Sequence, residues 1–151
     1  MQKNSSGEFY PRHKIDSGKL LQLIDNHVSL RISSISWRKI RNQPMEHAAR
    51  ILLVDDEPGS RESLSLLLGH EGYVLDTAAD GEKAIRLLSK NKYDVIITDL
   101  FLPGVSGIDI LKHVKEHPLP CSVILITGNA TAETAVEAMK EGAFDYIIKP
   151  V

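Results

Sequence analysis

From Arg50 onward the chain repeats one unit, a short β-branched run followed by an amphipathic stretch of about ten residues, and this alternation is the signature of βαβ units. The runs at Arg50–Val54, Tyr73–Ala78, Tyr93–Thr98, Ser122–Thr127 and Asp145–Ile148 read as five strands. Between them, apolar residues fall at helical spacing: Leu64, Leu67 and Leu68; Ala84, Ile85 and Leu88; Ile110, Leu111 and Val114; Ala135, Ala138 and Met139. Helix ends are marked by Asp80 and Thr131 as N-caps, by Ser106 with Asp109 as a capping box, and by Gly142 as a C′ glycine. Ile51-Leu52-Leu53-Val54, Val95-Ile96-Ile97 and Val123-Ile124-Leu125-Ile126 are apolar without alternation, as strands are when helices cover both faces. The expected sheet is parallel and, because such crossovers are right-handed, the fold is a doubly wound α/β sandwich.

The segment before this region has a different character. Residues 1–44 carry 8 Lys and Arg against 3 Asp and Glu, whereas the remainder carries 10 against 17. Leu20, Leu23, Ile24 and Val28 recur at helix spacing behind Ser17 as candidate N-cap, and Met45 stands where the folded unit would start. The expected division is an N-terminal extension over 1–47, largely disordered or a single helix, and a folded domain over 48–151. Arg38-Lys39-Ile40-Arg41 reads as solvated surface rather than a nucleic-acid contact. A formal net charge of −2 gives no footprint for nucleic acid or an anionic membrane. No apolar run approaches the roughly 20 residues needed to cross a bilayer, and the opening residues have no signal-peptide core. Cys121, the single cysteine, fits a reducing compartment, with the cytoplasm as the expected location and inert packing as its expected role.

In doubly wound sheets the site lies beyond the carboxyl ends of the strands. There the sequence places Asp55-Asp56-Glu57, Asp99, Thr127-Gly128-Asn129 and Lys149-Pro150. Asp55, Asp56 and Asp99 offer hard oxygen ligands suited to magnesium. Crowded carboxylates raise one another's pKa, so a cation and Lys149 are needed to keep Asp99 ionised and nucleophilic. An aspartate can accept a phosphoryl group while a metal and an ammonium neutralise its oxygens and a hydroxyl donates to one of them, roles that Lys149 and Thr127 fit.

Residues 48–151 resemble the receiver domain of two-component response regulators through Leu53-Val54-Asp55-Asp56-Glu57, Thr98-Asp99-Leu100-Phe101-Leu102-Pro103-Gly104, Leu125-Ile126-Thr127-Gly128 and Ile148-Lys149-Pro150. The resemblance implies a flavodoxin-like strand order 2-1-3-4-5, Asp99 as phosphoacceptor, Asp55 and Asp56 as the acidic magnesium pair, and the Phe101 backbone carbonyl as a further metal ligand. It implies Thr127 and Lys149 as phosphate-sensing residues, Tyr146 as the aromatic that changes rotamer on activation, and a cis Lys149–Pro150 bond. A sensor histidine kinase or phosphotransfer protein would supply the phosphoryl group and an unknown output would read the change. The domain would be a phosphoacceptor that assists its own phosphotransfer and dephosphorylation, with Asn129 near the attacking water. The stretch Ala132–Tyr146 is most similar to receivers of nitrogen-regulator-type activators. The chain reaches Val151, before the fifth helix of that family. The face formed by Ile51, Leu53 and Ile147 is therefore expected to lie open unless a partner chain or the Leu20–Leu30 stretch covers it.

Blander readings exist for each residue alone. Asp55-Asp56 would serve as an N-cap for a helix starting near Pro58, Thr127-Gly128 as an ordinary turn, and Tyr146 as a half-buried strand aromatic. His70, His113 and His117 read as helix-terminal dipole partners or solvated residues. Two other functions share parts of the pattern. A phosphohydrolase with an aspartate nucleophile needs a second acid, but the position two beyond Asp99 is Phe101. A flavin or nucleotide module needs a phosphate-cradling loop after the first strand, where Asp55-Asp56-Glu57 stands instead.

Overall fold

The computed structural model describes residues 2–3, 9–10, 18, 20–25, 49–117, 119, 121–129 and 131–149. Ser17, Val28, Met45, the Arg38–Arg41 cluster, Pro150 and Val151 lie outside the described residues. Gln2–Lys3 and Phe9–Tyr10 form a two-residue antiparallel pair, and residues 20–25 are helical.

The repeating region folds as β1 (Arg50–Val54), α1 (Pro58–His70), β2 (Val74–Ala78), α2 (Gly81–Lys90), β3 (Val95–Asp99), α3 (Gly107–Glu116), β4 (Ser122–Thr127), α4 (Ala132–Lys140) and β5 (Asp145–Ile148). All four strand pairings are parallel, in the order β2-β1-β3-β4-β5, which is the expected 2-1-3-4-5. The three unalternating runs are almost wholly buried because both faces are covered. Leu52, Val54, Ile96 and Leu125 pack one face against Ala84, Leu88, Ile110 and Ala138 of α2, α3 and α4. Ile51, Leu53, Ile97 and Ile126 pack the other against Leu64 and Leu68 of α1.

Helix boundaries follow the caps. Asp80 accepts from the Lys83 amide, and both Ser106–Asp109 and Thr131–Thr134 close capping boxes. Gly142 adopts φ +92° after α4, with Gly142 N–H donating to Met139 O and Ala143 N–H to Ala138 O, the two bonds of a Schellman termination. Gly72 ends α1 in the same way at φ +91°. His70 and His113 lie in the last turns of α1 and α3. His117 is the C-cap of α3, its ring stacked on that of His113 with centroids 4.3 Å apart.

Two strand starts differ from the expected ones. Tyr73 donates its amide to Leu68 O and closes the α1 termination, so β2 begins at Val74. Tyr93 and Asp94 precede β3, where the Asp94 carboxylate accepts from the Arg50 amide at 2.8 Å. Tyr93 instead completes a polar cluster at the amino edge of the sheet. Its hydroxyl donates to Asp76 at 2.7 Å, Arg50 pairs with the same carboxylate, and the guanidinium lies 5.3 Å from the Tyr93 ring centre. Burial and then the Asp76 acceptor push the Tyr93 hydroxyl up to about 12. The folded state thus holds this proton more tightly than the unfolded chain. The associated stability is complete below the ordinary tyrosine value of about 10 and is lost as pH rises towards about 12. Tyrosinate absorbance should show a step near pH 12 that Tyr93→Phe removes.

Candidate functional site

Sheet register assembles the site. Val54 pairs with Thr98, Asp99 with Ile126, and Thr127 with Ile148, so the residues closing β1, β3, β4 and β5 come to one edge. Ladder bonds continue past the strand ends and fix these backbones: Asp55 N–H donates to Ala78 O, Leu100 N–H to Ile126 O, and Lys149 N–H to Thr127 O. Asp99 is the last residue of β3 rather than the first beyond it.

The Lys149 ammonium lies between two carboxylates, donating to Asp55 Oδ2 at 3.0 Å and to Asp99 Oδ2 at 2.9 Å. The other oxygens take backbone donors, Asp55 Oδ1 from Glu57 N–H at 2.9 Å and Asp99 Oδ1 from Phe101 N–H at 3.2 Å. Arg61 in α1 donates to the Asp55 carbonyl at 2.7 Å. Burial by itself would raise Asp55, but the Glu57 amide, the Ser60 hydroxyl and the Lys149 ammonium together hold its carboxyl below the usual range. Lys149 shows the converse. Burial disfavours its charge, and the bonds to Asp99 and Asp55 outweigh that and raise it.

Asp55, Asp56 and Asp99 each offer one oxygen within 4.8 Å of the others, Asp55 buried and Asp56 exposed. Three carboxylates against one ammonium leave a formal deficit of two positive charges, which one divalent cation balances, and the donors are the hard oxygens that magnesium takes. The residues fit that ion.

Thr127 is buried, and its hydroxyl accepts from the Asn129 amide at 3.2 Å. Tyr146 pairs with Leu125 in register and packs on the same face, one diagonal step from Thr127. Its hydroxyl is bonded to Thr134 Oγ1 at 2.9 Å. Burial is the main reason that the hydroxyl is raised above its ordinary value; the Thr134 bond opposes the rise and the Asp99 charge adds to it. Thr134 also closes the capping box of α4, so one hydroxyl ties the aromatic to a helix start. Thr134 stands outside the residues that the sequence marks as functional. The Thr131-x-x-Thr134 spacing was the available signal, though it is a poor match to the usual Glu or Gln at that position.

A glycine packs against the strand end that carries Asp99. A Cβ on Gly107, the first residue of α3, would lie 2.3 Å from Asp99 O and 2.9 Å from Leu100 Cα. Both are backbone atoms that cannot rotate away. Gly107→Ala is expected to cost about 1–3 kcal/mol through overpacking and to displace the Asp99 loop. Urea unfolding checks the first effect, and the amide chemical shifts of 99–101 check the second.

The family profile described as the response regulator receiver domain matches residues 51–151. The regulatory protein AtoC of Escherichia coli K12 is 43% identical over 101 residues, which are 67% of this chain and 22% of AtoC. The response regulator protein PilR of Pseudomonas aeruginosa is 36% identical over 102 residues, 68% of this chain and 23% of PilR. The chain thus spans about a fifth of the length of these curated relatives. Among solved structures, a response regulator receiver domain protein from Clostridium thermocellum superposes with a TM-score of 0.64 at 39% identity, covering 68% of this chain and 83% of that one. The Vibrio cholerae chemotaxis protein CheY4 gives 0.66 at 31% identity, covering 70% and 89%.

Proposed function

The chain belongs to the response regulator receiver domain family of two-component signalling, and on that premise we propose that Asp99 is its phosphoacceptor. The observation that carries the assignment is the Lys149 ammonium held between Asp55 and Asp99. An Asp99 oxygen attacks the phosphorus of a phosphohistidine on a sensor kinase or phosphotransfer protein. The O–P bond forms as the N–P bond breaks, and the departing imidazole takes a proton from solvent. Asp55, Asp56, Asp99 and the Phe101 carbonyl would hold magnesium, which when bound supplies neutralisation of the phosphoryl oxygens. Lys149 neutralises from the other side.

The switch follows from the two hydroxyls. A phosphoryl oxygen on Asp99 recruits the Thr127 hydroxyl and draws it towards the site. The space this opens beside Tyr146 favours a second packing of the ring, at the expense of its bond to Thr134. The phosphoryl group thereby shifts an existing two-state equilibrium. Asn129, exposed at the mouth of the site, lies where a water reaches the acyl phosphate and would set the lifetime of the modified state. The nitrogen-regulator-type placement is supported by the 43% identity to AtoC, and the altered surface would serve an output of that regulatory class. A cytoplasmic location agrees with Cys121 being the single cysteine of the sequence, and none of the described helices is long and apolar enough to cross a membrane.

Acetyl phosphate tests the assignment directly. With magnesium, the chain should gain the mass of one phosphoryl group, acid-labile and located on the peptide containing Asp99; with the metal chelated, it should not. Labelling elsewhere, or labelling indifferent to the metal, refutes the reading.

A further inference from the structure

Leu20 and Ile24 have no solvent exposure. They share one apolar cluster with Ile51, Leu53 and Ile147 of the sheet, the residues of the face expected to lie open. Leu21 and Leu23 pack at the margin of that cluster while Gln22 and Asp25 are exposed, so the helix turns its apolar side inward. A polar tie fixes its end, the Tyr73 hydroxyl donating to the Asp25 carboxylate. The need for a second helix is geometric. Five strands about 4.8 Å apart make a face roughly 19 Å wide, and one helix of about 10 Å diameter covers only part of it. The opposite face has α2, α3 and α4; on this one, the repeating region contributes α1 among the described residues.

We propose that residues 20–25 are an intramolecular cover that completes this face, so that the folded unit extends back to residue 20 instead of starting at 48. The face is then a docking surface for a single amphipathic helix with aliphatic side chains four residues apart, and any other helix that seats there must displace this one. The occupant comes from the same chain. A connection of 24 residues, 26–49, gives an effective concentration in the millimolar range, which exceeds that of a second copy at micromolar protein.

Hydrogen exchange on the full chain provides the test, alongside urea unfolding. Amides of residues 21–25 should exchange at least roughly tenfold slower than in a free peptide. Leu20→Asp should lower the urea midpoint by about 1 M or more, while Gln22→Asp on the exposed side should leave it in place. Should Leu20→Asp fail to fold, Ile24→Val removes one methylene, keeps the chain folded, and should still lower the midpoint measurably. Free-peptide exchange rates at 21–25, an unchanged midpoint in both buried variants, or protection that appears only as the chain dimerises in sedimentation would each overturn the proposal. None of these readouts depends on phosphorylation.

Discussion

Asp99→Asn should reduce acid-labile phosphate to background while the domain stays folded. The amide is nearly isosteric with the carboxylate but is neither an anionic nucleophile nor an anionic metal ligand, so both bond formation and metal binding suffer. Folding should survive because Lys149 keeps its partner Asp55 at 3.0 Å, and a neutral residue at 99 removes a charge that Lys149 would otherwise divide between two carboxylates. The Phe101 amide keeps an acceptor in the side-chain carbonyl of asparagine, which can occupy the place of Asp99 Oδ1. Mass spectrometry after acetyl phosphate treatment reads the loss, and a urea midpoint near that of the parent shows that the loss is chemical. Undiminished phosphate on the variant would assign the nucleophile to another residue.

The sequence announced the sheet because parallel strands buried on both faces leave little freedom. Ile51-Leu52-Leu53-Val54 and Val123-Ile124-Leu125-Ile126 have no polar position that could face water, and both are strands as expected. Caps were equally legible, since Asp80, Ser106 and Thr131 act on amides three residues away. Features set by distant partners were not. Tyr73 and Tyr93 look like strand residues, but their hydroxyls are claimed by Asp25 and Asp76, 48 and 17 residues away in sequence. Met139 falls in the apolar stripe of α4 yet is 52% exposed, since Ala138 already fills the place against the sheet. The convergence of Asp55, Asp99 and Lys149 was legible only through topology: once the strand order is known, register brings them together. The docking of Leu20 and Ile24 has no local signature beyond a four-residue spacing, which says that a helix has an apolar side and not what that side meets.

Replacing Lys149 should expose the electrostatic debt of the site. In Lys149→Ala the nearly buried Asp55 and Asp99 face each other without their shared ammonium. Removing one partner of a buried ion pair costs about 3–5 kcal/mol. The lower end, roughly 3 kcal/mol, applies because 19% of the lysine side chain is exposed and water screens the pair. The pH dependence identifies the cause. In the parent, Asp55 is held below its usual range, so its contribution is present above about 3.9 and is lost as pH falls through the lowered value. Lys149 is raised, so its contribution is present below about 10.4 and is lost as pH climbs through the raised value. Between these limits the parent's site should contribute a nearly constant stability. Without the ammonium Asp55 loses one of the partners that hold its carboxyl low while its burial remains, and an acid moved upward regains stability as it protonates, so the deficit of the variant against the parent should shrink as pH falls. Magnesium should act in the same direction, because Lys149 is no ligand and its removal frees Asp55 Oδ2 and Asp99 Oδ2. The midpoint gap between parent and variant should therefore narrow with added magnesium. The change proposed for Tyr146 on phosphorylation should weaken, because no ammonium remains to hold the phosphoryl oxygens. A variant that loses magnesium affinity yet keeps the full change at Tyr146 would show that lysine and carboxylates have been assigned each other's work.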